Sequence, residues 1–191
     1  MTATNKLSDS ARKAQTEKFF QQLEQQILQR LRNEASSPQG REELLRATGI
    51  HDEHLLDELG QLGVTADGLM ALRLFPLVLV AWAEEKADES ERNAVMTQAV
   101  RLGIREDTTA WVLLDQWLTK RPPGLGVDAW KQYTHEVFLT MSEVARNRLI
   151  QLTETQMTEV AKASGGHFGF GKVSKKEQAV IQQIVLSMKR C

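Results

Sequence analysis

The stretch Trp82-Ala-Glu-Glu-Lys-Ala-Asp-Glu-Ser-Glu-Arg92 has a counterpart near the end of the chain, Phe168-Gly-Phe-Gly-Lys-Val-Ser-Lys-Lys-Glu-Gln178. Each stretch follows an apolar helical pattern, crosses a short loop and leads into an amphipathic pattern with helical spacing. When the two stretches are aligned, Lys86 corresponds to Lys172. The chain therefore contains a duplicated helix-loop-helix unit.

The residues that pair within this repeat are those that begin a helix. Asp88 pairs with Ser174, and both side chains can accept a hydrogen bond from the first turn of the following helix. Glu91 and Glu177 lie three residues further on, where a glutamate completes a capping box. The sequence thus predicts a structural role for all four residues before any chemical role.

Length and composition are those of a globular chain that can bury its own core. The chain has 191 residues, of which 41% are hydrophobic, and this predicts one domain or one domain with an added arm. Its single cysteine, Cys191, excludes an intramolecular disulfide. The first residues do not have the apolar run of a secretory signal, so we expect a cytoplasmic location.

The most apolar run covers residues 69–83 and is shorter than a membrane span. It also contains a charged residue, Arg73, and a proline, Pro76. We therefore interpret the run as a buried core helix and expect no membrane span.

Charge is unevenly distributed along the chain, although the formal net charge is only −1. Residues 41–92 carry five Lys or Arg against twelve Asp or Glu, whereas the flanking segments are mildly basic. A nucleic-acid-binding protein would show a concentrated basic patch, so we expect no nucleic-acid partner. The acidic middle is either a solvated face or a surface that attracts a cation or a basic partner.

Helical periodicity and helix boundary signals cover nearly the whole chain, and no segment alternates as a strand does. We therefore predict an all-α, multi-helix bundle, with an N-terminal amphipathic helix in residues 1–35 and the bundle in residues 36–191. A single helix bent at Pro76 is expected over residues 66–84. A long helical stretch is expected from Val127 to Gly165, with a possible restart at Thr153 and Gln156.

The segment from Phe75 to Arg92, followed by a helix to Leu102-Gly103-Ile104, resembles the tellurite-resistance TerB-like helical domains. In that family an apolar helix leads into an Ala-Asp-Gly-like turn, an acidic cap and a glutamate in the next helix. The resemblance covers about residues 65–189. It implies an all-α bundle of two such units, and an accessory or stress-response module without enzymatic activity.

The family's acidic residues have been suggested to bind divalent cations. Carried over to this chain, the implied metal ligands are Glu84, Asp88 and Glu91, with Glu85 as a substitute, and the implied ion is Ca²⁺ or Mg²⁺. Where the family pattern has Asp-Gly, this chain has Glu84-Glu85. The sequence therefore predicts that the glycine turn is lost while a carboxylate is kept.

The glycine-rich loop of residues 165–172 supports an alternative, a regulator or enzyme that binds a nucleotide or phosphate. Four residues match the GxxxxGK pattern or its glycine-rich interior: Gly166, Gly169, Gly171 and Lys172. Two features oppose this reading, because Val173 occupies the Ser/Thr position of the motif and a helical pattern precedes the loop where a buried strand is required. A flexible connector is the plainer interpretation.

A second possible metal site lies near residue 54. His54 and Glu58 have the i, i+4 spacing of two ligands on one helix face, and His51 is nearby. The spacing fixes no further ligand pair, so a surface helix start explains these residues equally well.

The N-terminal helix is the clearest candidate for contacts with other molecules. Its apolar residues recur at helical spacing and form one stripe: Phe19, Phe20, Leu23, Ile27 and Leu31. We expect the stripe to pack on the bundle, or else to present a helix to a protein partner or to a second copy in a homodimer.

Overall fold

A computed structural model describes residues 3–163 and 172–191, and the side chains of this part except those of residues 3–13, 20 and 24. The described residues form ten α-helices and no strand, which confirms the all-α prediction for this part of the chain. The helices are α1 (Ala3–Ala35), α2 (Pro38–Thr48), α3 (Glu53–Leu62), α4 (Leu69–Arg73), α5 (Phe75–Ala81), α6 (Glu89–Arg101), α7 (Thr109–Thr119), α8 (Gly124–Leu139), α9 (Glu143–Ala163) and α10 (Lys175–Arg190).

The helix boundaries lie mostly where short polar residues and glycines predict them. Asp52 and Thr108 accept backbone N–H bonds of 3.1 and 3.3 Å at the starts of α3 and α7. Gly49 and Gly63 end α2 and α3 with φ values of 69° and 76°, in the left-handed region that glycine adopts without steric cost.

Helix α5 is the centre of the core. It packs against α9, α10, α7 and α6, and six of its seven residues are buried. Phe75 meets Trp117 of α7 edge to face, with ring centroids 5.2 Å apart and planes at 90°, a geometry that stabilises aromatic pairs by about 0.5–1.5 kcal/mol. Helix α5 also contacts α6, and α9 contacts α10. The two pairs pack together, because α9 contacts both α5 and α6, and α10 contacts α5.

The prediction of one continuous helix over residues 66–84 is wrong. The chain instead forms α4 and α5, which are separated at Leu74, where φ is −91° and ψ is 0°. Pro76 lies in the first turn of α5, where its missing N–H leaves no hydrogen bond unmade. The proline thus begins a new helix and does not bend an existing one.

The predicted long stretch from residue 127 to 165 is also interrupted. Helix α8 ends at Leu139, and α9 begins at Glu143 after Ser142, whose hydroxyl accepts the N–H of Ala145 at 3.3 Å. The expected restart at Thr153 is wrong, because this residue lies inside α9 and its hydroxyl donates to the Leu149 carbonyl at 2.9 Å.

A buried polar contact joins α6 to α9. The Gln98 side chain is 4% exposed and donates to Glu159 Oε2 at 2.6 Å, while Gln156 donates to Gln98 Oε1 at 3.1 Å. Both polar ends of Gln98 are therefore satisfied, and the contact aligns the two helices without leaving a buried group unpaired.

In the described part of the chain, none of the helices has both the length and the apolar character that crossing a membrane requires. This agrees with the interpretation of residues 69–83 as a core segment, since they form the buried helices α4 and α5 and the turn that follows.

Candidate functional site

The loop between α5 and α6, residues 82–88, is fixed at its start by a tryptophan. Trp82 Nε1 donates a 2.8 Å hydrogen bond to the backbone carbonyl of Trp117, which attaches the loop to α7. The Glu85 N–H donates to the Trp82 carbonyl at 3.2 Å and closes a turn. The acidic side chains that follow are therefore held on a defined backbone.

Glu85 has a backbone conformation that residues other than glycine rarely adopt. Its φ is 72°, in the left-handed region, where a residue with a Cβ atom pays about 1–2 kcal/mol. The chain thus makes a left-handed turn here with a glutamate, while the comparison with the family's glycine turn stays a prediction. In the sequence alignment of the two repeats, Glu85 pairs with Gly171.

Both predicted capping boxes are present. In the first, the Glu91 N–H donates to Asp88 Oδ1 at 2.8 Å, and the Asp88 N–H donates to Glu91 Oε2 at 2.9 Å. In the second, the Glu177 N–H donates to Ser174 Oγ at 3.3 Å, and the Ser174 N–H donates to Glu177 Oε2 at 2.6 Å. The duplicated sequence thus forms the same local structure at the starts of α6 and α10.

The two glutamates of these boxes are almost completely removed from solvent. Glu91 is 3% exposed and Glu177 is 1% exposed, although a capping box requires only a helix terminus and is often on the surface. Burial of two carboxyl groups is costly unless they are hydrogen-bonded, protonated or near a cation. This burial distinguishes the pair from the other caps of the fold.

Burial and neighbouring negative charge raise the pKa of Glu91 to about 7. Desolvation is the largest cause, and the carboxylates of Asp88, Glu177 and Glu84 raise the pKa further, while the hydrogen bond from the Asp88 N–H opposes the rise. Glu177 is one of the charges that raise the pKa of Glu91, although the two residues are 86 positions apart in the sequence.

The chain matches no protein-family model, no curated protein and no solved structure. The TerB-like family therefore stays a prediction that rests on the sequence pattern from residue 75 to residue 104. The duplicated capping box is an independent observation of the structure.

The four predicted metal ligands lie within eight positions of the chain but in different surroundings. Glu84 and Glu85 are exposed, Asp88 is half-buried, and Glu91 is buried. One oxygen of Asp88 and one of Glu91 already accept backbone N–H bonds. Over residues 3–163 and 172–191, no group of three or more His, Cys, Asp or Glu residues has an arrangement that can hold a metal ion.

Most of the predicted phosphate-binding loop, including Gly166, Gly169 and Gly171, lies outside the described residues. Lys172 is described; its side chain is exposed, and it lies two residues before the Ser174 cap of α10. The segment before the loop is helix α9, which the structure describes to Ala163, so the buried strand that precedes a P-loop is not found there.

The histidine region forms a helix start. Asp52 caps α3, and this hydrogen bond from the Leu55 N–H lowers the pKa of its carboxyl below the usual range. His54 Nδ1 lies 3.6 Å from Glu58 Oε1, while His51 is exposed. Glu58 is 8% exposed, and its second oxygen, Oε2, is buried without a hydrogen-bond partner in the described part of the chain. His54 and Glu58 therefore lie on one face of α3 as an i, i+4 pair, in which only one of the two Glu58 oxygens faces the imidazole.

Two features of the structure differ from the sequence predictions or were absent from them: the exposure of the α1 stripe and a cavity. The apolar stripe of α1 is divided, since Leu31 packs against the core while Phe19, Leu23 and Ile27 are exposed. A cavity also forms where α4, α8, α9 and α10 meet. Its lining residues are scattered over 120 positions, from residue 69 to residue 188, so no local sequence pattern indicates it.

Proposed function

We propose that this chain is a non-enzymatic, TerB-like accessory module that acts through protein contacts made by helix α1. The observation that carries the proposal is the exposed part of the apolar stripe, in which Phe19, Leu23 and Ile27 are 61%, 42% and 41% exposed. Large apolar side chains clustered on one surface mark sites of association. The resemblance to TerB-like domains supports an accessory or stress-response role.

The position of α1 supports this role. The helix has 33 residues, which corresponds to a length of about 50 Å, and it packs on α2 and α3. Leu31 and Arg32 lie at that contact, next to Gly63. The four-residue spacing of Phe19, Leu23 and Ile27 places them on one face of the helix, before this contact in the chain.

The stripe is suited to a second copy of the same helix. Its three residues are spaced symmetrically about Leu23, so an antiparallel copy of α1 places Phe19 opposite Ile27 of the second copy and Leu23 opposite Leu23. Such an isologous contact closes on itself and gives a dimer. We therefore propose a homodimer through α1 as the form in which the module acts.

The test is self-association of the full chain, measured by sedimentation equilibrium over a range of concentrations. Leu23→Asp combined with Ile27→Asp is expected to weaken the dimer more than a hundredfold, because it places two charges in an apolar contact. Gln22→Asp with Gln26→Asp is the matched control, since these exposed residues lie on the same helix and receive the same charge.

The control is expected to weaken the dimer only slightly, and circular dichroism is expected to show unchanged helix content in both variants. A wild-type chain that remains monomeric at every concentration would contradict the homodimer and direct the search to another protein as partner. Equal dissociation constants for the two variants would contradict the role of the stripe.

A response to a divalent cation at the acidic turn is the second proposed function. It rests on the resemblance to TerB-like domains, which implies Glu84, Asp88 and Glu91 as ligands, and an ion would have to draw these side chains together, because their present arrangement in the described part of the chain holds none. Burial raises the pKa of Glu91, and the carboxylates of Asp88, Glu177 and Glu84 raise it further. A divalent cation bound beside them would relieve this repulsion. Ca²⁺ or Mg²⁺ fits the chemistry, because both prefer carboxylate oxygens and retain water ligands that complete the coordination.

Calorimetric titration of chelator-treated protein with Ca²⁺, Mg²⁺, Mn²⁺ and Zn²⁺ tests this second function. Saturable binding is expected in the wild type and is expected to be lost when Glu84→Gln is combined with Asp88→Asn, because asparagine still caps a helix but carries no charge. Glu106→Gln, which removes an exposed carboxylate elsewhere, is the control. The absence of binding heat with any ion would contradict the cation response.

A further inference from the structure

A cavity of about 330 Å³ lies where α4, α8, α9 and α10 meet. This volume falls within the range of about 300–1,000 Å³ that is typical of small-molecule sites. Trp130 and Phe138 are 3% and 1% exposed and form a closed aromatic part of the lining. The cavity is therefore built on the packed core of the bundle, although its residues are distant in the sequence.

Three methionines provide the adaptable part of the lining. Met70 lies on α4 and is 38% exposed, Met141 lies in the turn between α8 and α9, and Met188 lies near the end of α10. Methionine is unbranched and polarisable, so it adjusts to apolar groups of different shape. A lining of this kind suits a flexible hydrocarbon better than a rigid polar ligand.

The charge around the cavity has one sign. Arg73 lines it, and no Asp or Glu occurs among its described lining residues. Arg73 takes part in none of the ion pairs formed in the described part of the chain. The Tyr133 phenol also lines the cavity; burial raises its pKa, and the nearby Arg73 guanidinium lowers it by a smaller amount. A cation and a hydroxyl donor thus accompany an apolar surface.

We propose that this cavity binds an apolar carboxylic acid, with the carboxylate at Arg73 and Tyr133 and the hydrocarbon chain between the methionines and Trp130. A guanidinium is the side chain best suited to a carboxylate, which it holds through two parallel hydrogen bonds. At roughly 30 Å³ for each water-sized group, the volume holds about eleven groups, which suits an acid of about nine carbons with its two carboxylate oxygens.

Titration with decanoate tests the proposal on the full chain carrying ¹³C-labelled methionine methyl groups. The methyl signals of Met70, Met141 and Met188 are expected to shift with saturation. Met96 and Met157 lie outside the cavity lining and serve as internal controls whose signals are expected to remain in place. Calorimetry of the same titration gives the dissociation constant.

Two variants test separately whether binding needs the charge of Arg73 and whether it needs the open space of the cavity. Arg73→Gln is expected to weaken decanoate binding about tenfold, the effect of losing one charge-assisted contact. Met70→Trp fills the edge of the cavity at an exposed position and is expected to abolish binding without disturbing the core. The matched control is Arg121→Gln, because Arg121 is an exposed arginine that lines a different groove, and it is expected to leave the dissociation constant unchanged.

Several results would overturn the proposal. These are the absence of saturable shifts in the three cavity methionines, equal weakening by Arg73→Gln and Arg121→Gln, and binding of the uncharged decanol as tight as that of decanoate. Vesicles of phosphatidylglycerol provide the last comparison. Sedimentation of the protein with these vesicles, without binding of decanoate in solution, would overturn a free acid as the ligand and indicate a membrane lipid.

Discussion

Replacement of Gly40 by alanine is expected to lower the free energy of unfolding by about 3 kcal/mol, the upper part of the range for overpacked sites. Gly40 is buried in α2 against the end of α1. A methyl group there would overlap the backbone carbonyl oxygen of Glu34 and lie 3.1 Å from the Cα atom of Ala35. Backbone atoms cannot move aside as a flexible side chain can, so α1 and α2 must separate.

Urea denaturation followed by circular dichroism measures this effect. Gly124→Ala is the matched control, because a Cβ atom at Gly124 meets nothing within 4 Å, and alanine there is expected to stabilise the chain by about 0.4–1 kcal/mol through the unfolded state. Limited proteolysis is also expected to remove α1 faster from the Gly40 variant. Equal unfolding free energies for the two variants would show that α1 and α2 do not require this close contact.

Replacement of Glu91 by glutamine is expected to raise the free energy of unfolding at pH 8 by about 2–3 kcal/mol. Glutamine at this position can still accept the Asp88 N–H, so the capping box is kept while the buried charge is removed. A buried carboxylate surrounded by Asp88, Glu177 and Glu84 is therefore expected to destabilise the fold at that pH, although it begins a helix.

The sign of the pH dependence follows from the raised pKa. Below pH 4.5 the Glu91 carboxyl is protonated in both the folded and the unfolded chain, so it contributes no pH dependence there. Between pH 4.5 and about 7 the unfolded chain releases a proton that the folded chain retains, so the free energy of unfolding falls as the pH rises. Above about pH 7 the full loss is present, and Glu91→Gln is expected to remove it.

Urea denaturation at pH 5 and pH 8 measures the difference for the wild type and the variant. Glu89→Gln is the matched control, since Glu89 is exposed in the same helical turn and its loss is expected to cost at most about 0.5 kcal/mol through the helix dipole. The two substitutions should therefore change stability in opposite directions at pH 8. A loss of stability with Glu91→Gln at pH 8 would contradict a raised pKa.

Local features of the fold were predictable because their causes are local. Asp88 and Ser174 each precede a glutamate by three residues, and this spacing alone predicts two capping boxes that the structure contains. Gly49 and Gly63 end α2 and α3 in the left-handed conformation that glycine adopts without steric cost, which is also a local cause. The resemblance to TerB-like domains and the metal ligands implied by it stay predictions.

Helix breaks were less predictable. Pro76 is compatible both with a bend inside one helix and with the first turn of another, and periodicity continues across either arrangement. The break at residues 140–142 has a sequence signal in Ser142, whose side chain caps α9, but the apolar pattern on both sides concealed it. Helix α4 packs on α7, while α5 packs on α9 as well as on α7, so the two helices on either side of Leu74 have different contacts.

The amino-acid sequence by itself determined the helical class of this protein, the starts and ends of most helices, and the duplicated capping box, because hydrogen bonds between residues three or four apart create these features. Tertiary structure decided which polar groups became buried and which apolar groups stayed exposed to solvent. The glutamates of the two caps became electrostatic neighbours, part of the α1 stripe stayed exposed, and Arg73 came to lie beside an apolar cavity. Each depends on contacts between residues far apart in the chain, which local spacing does not encode.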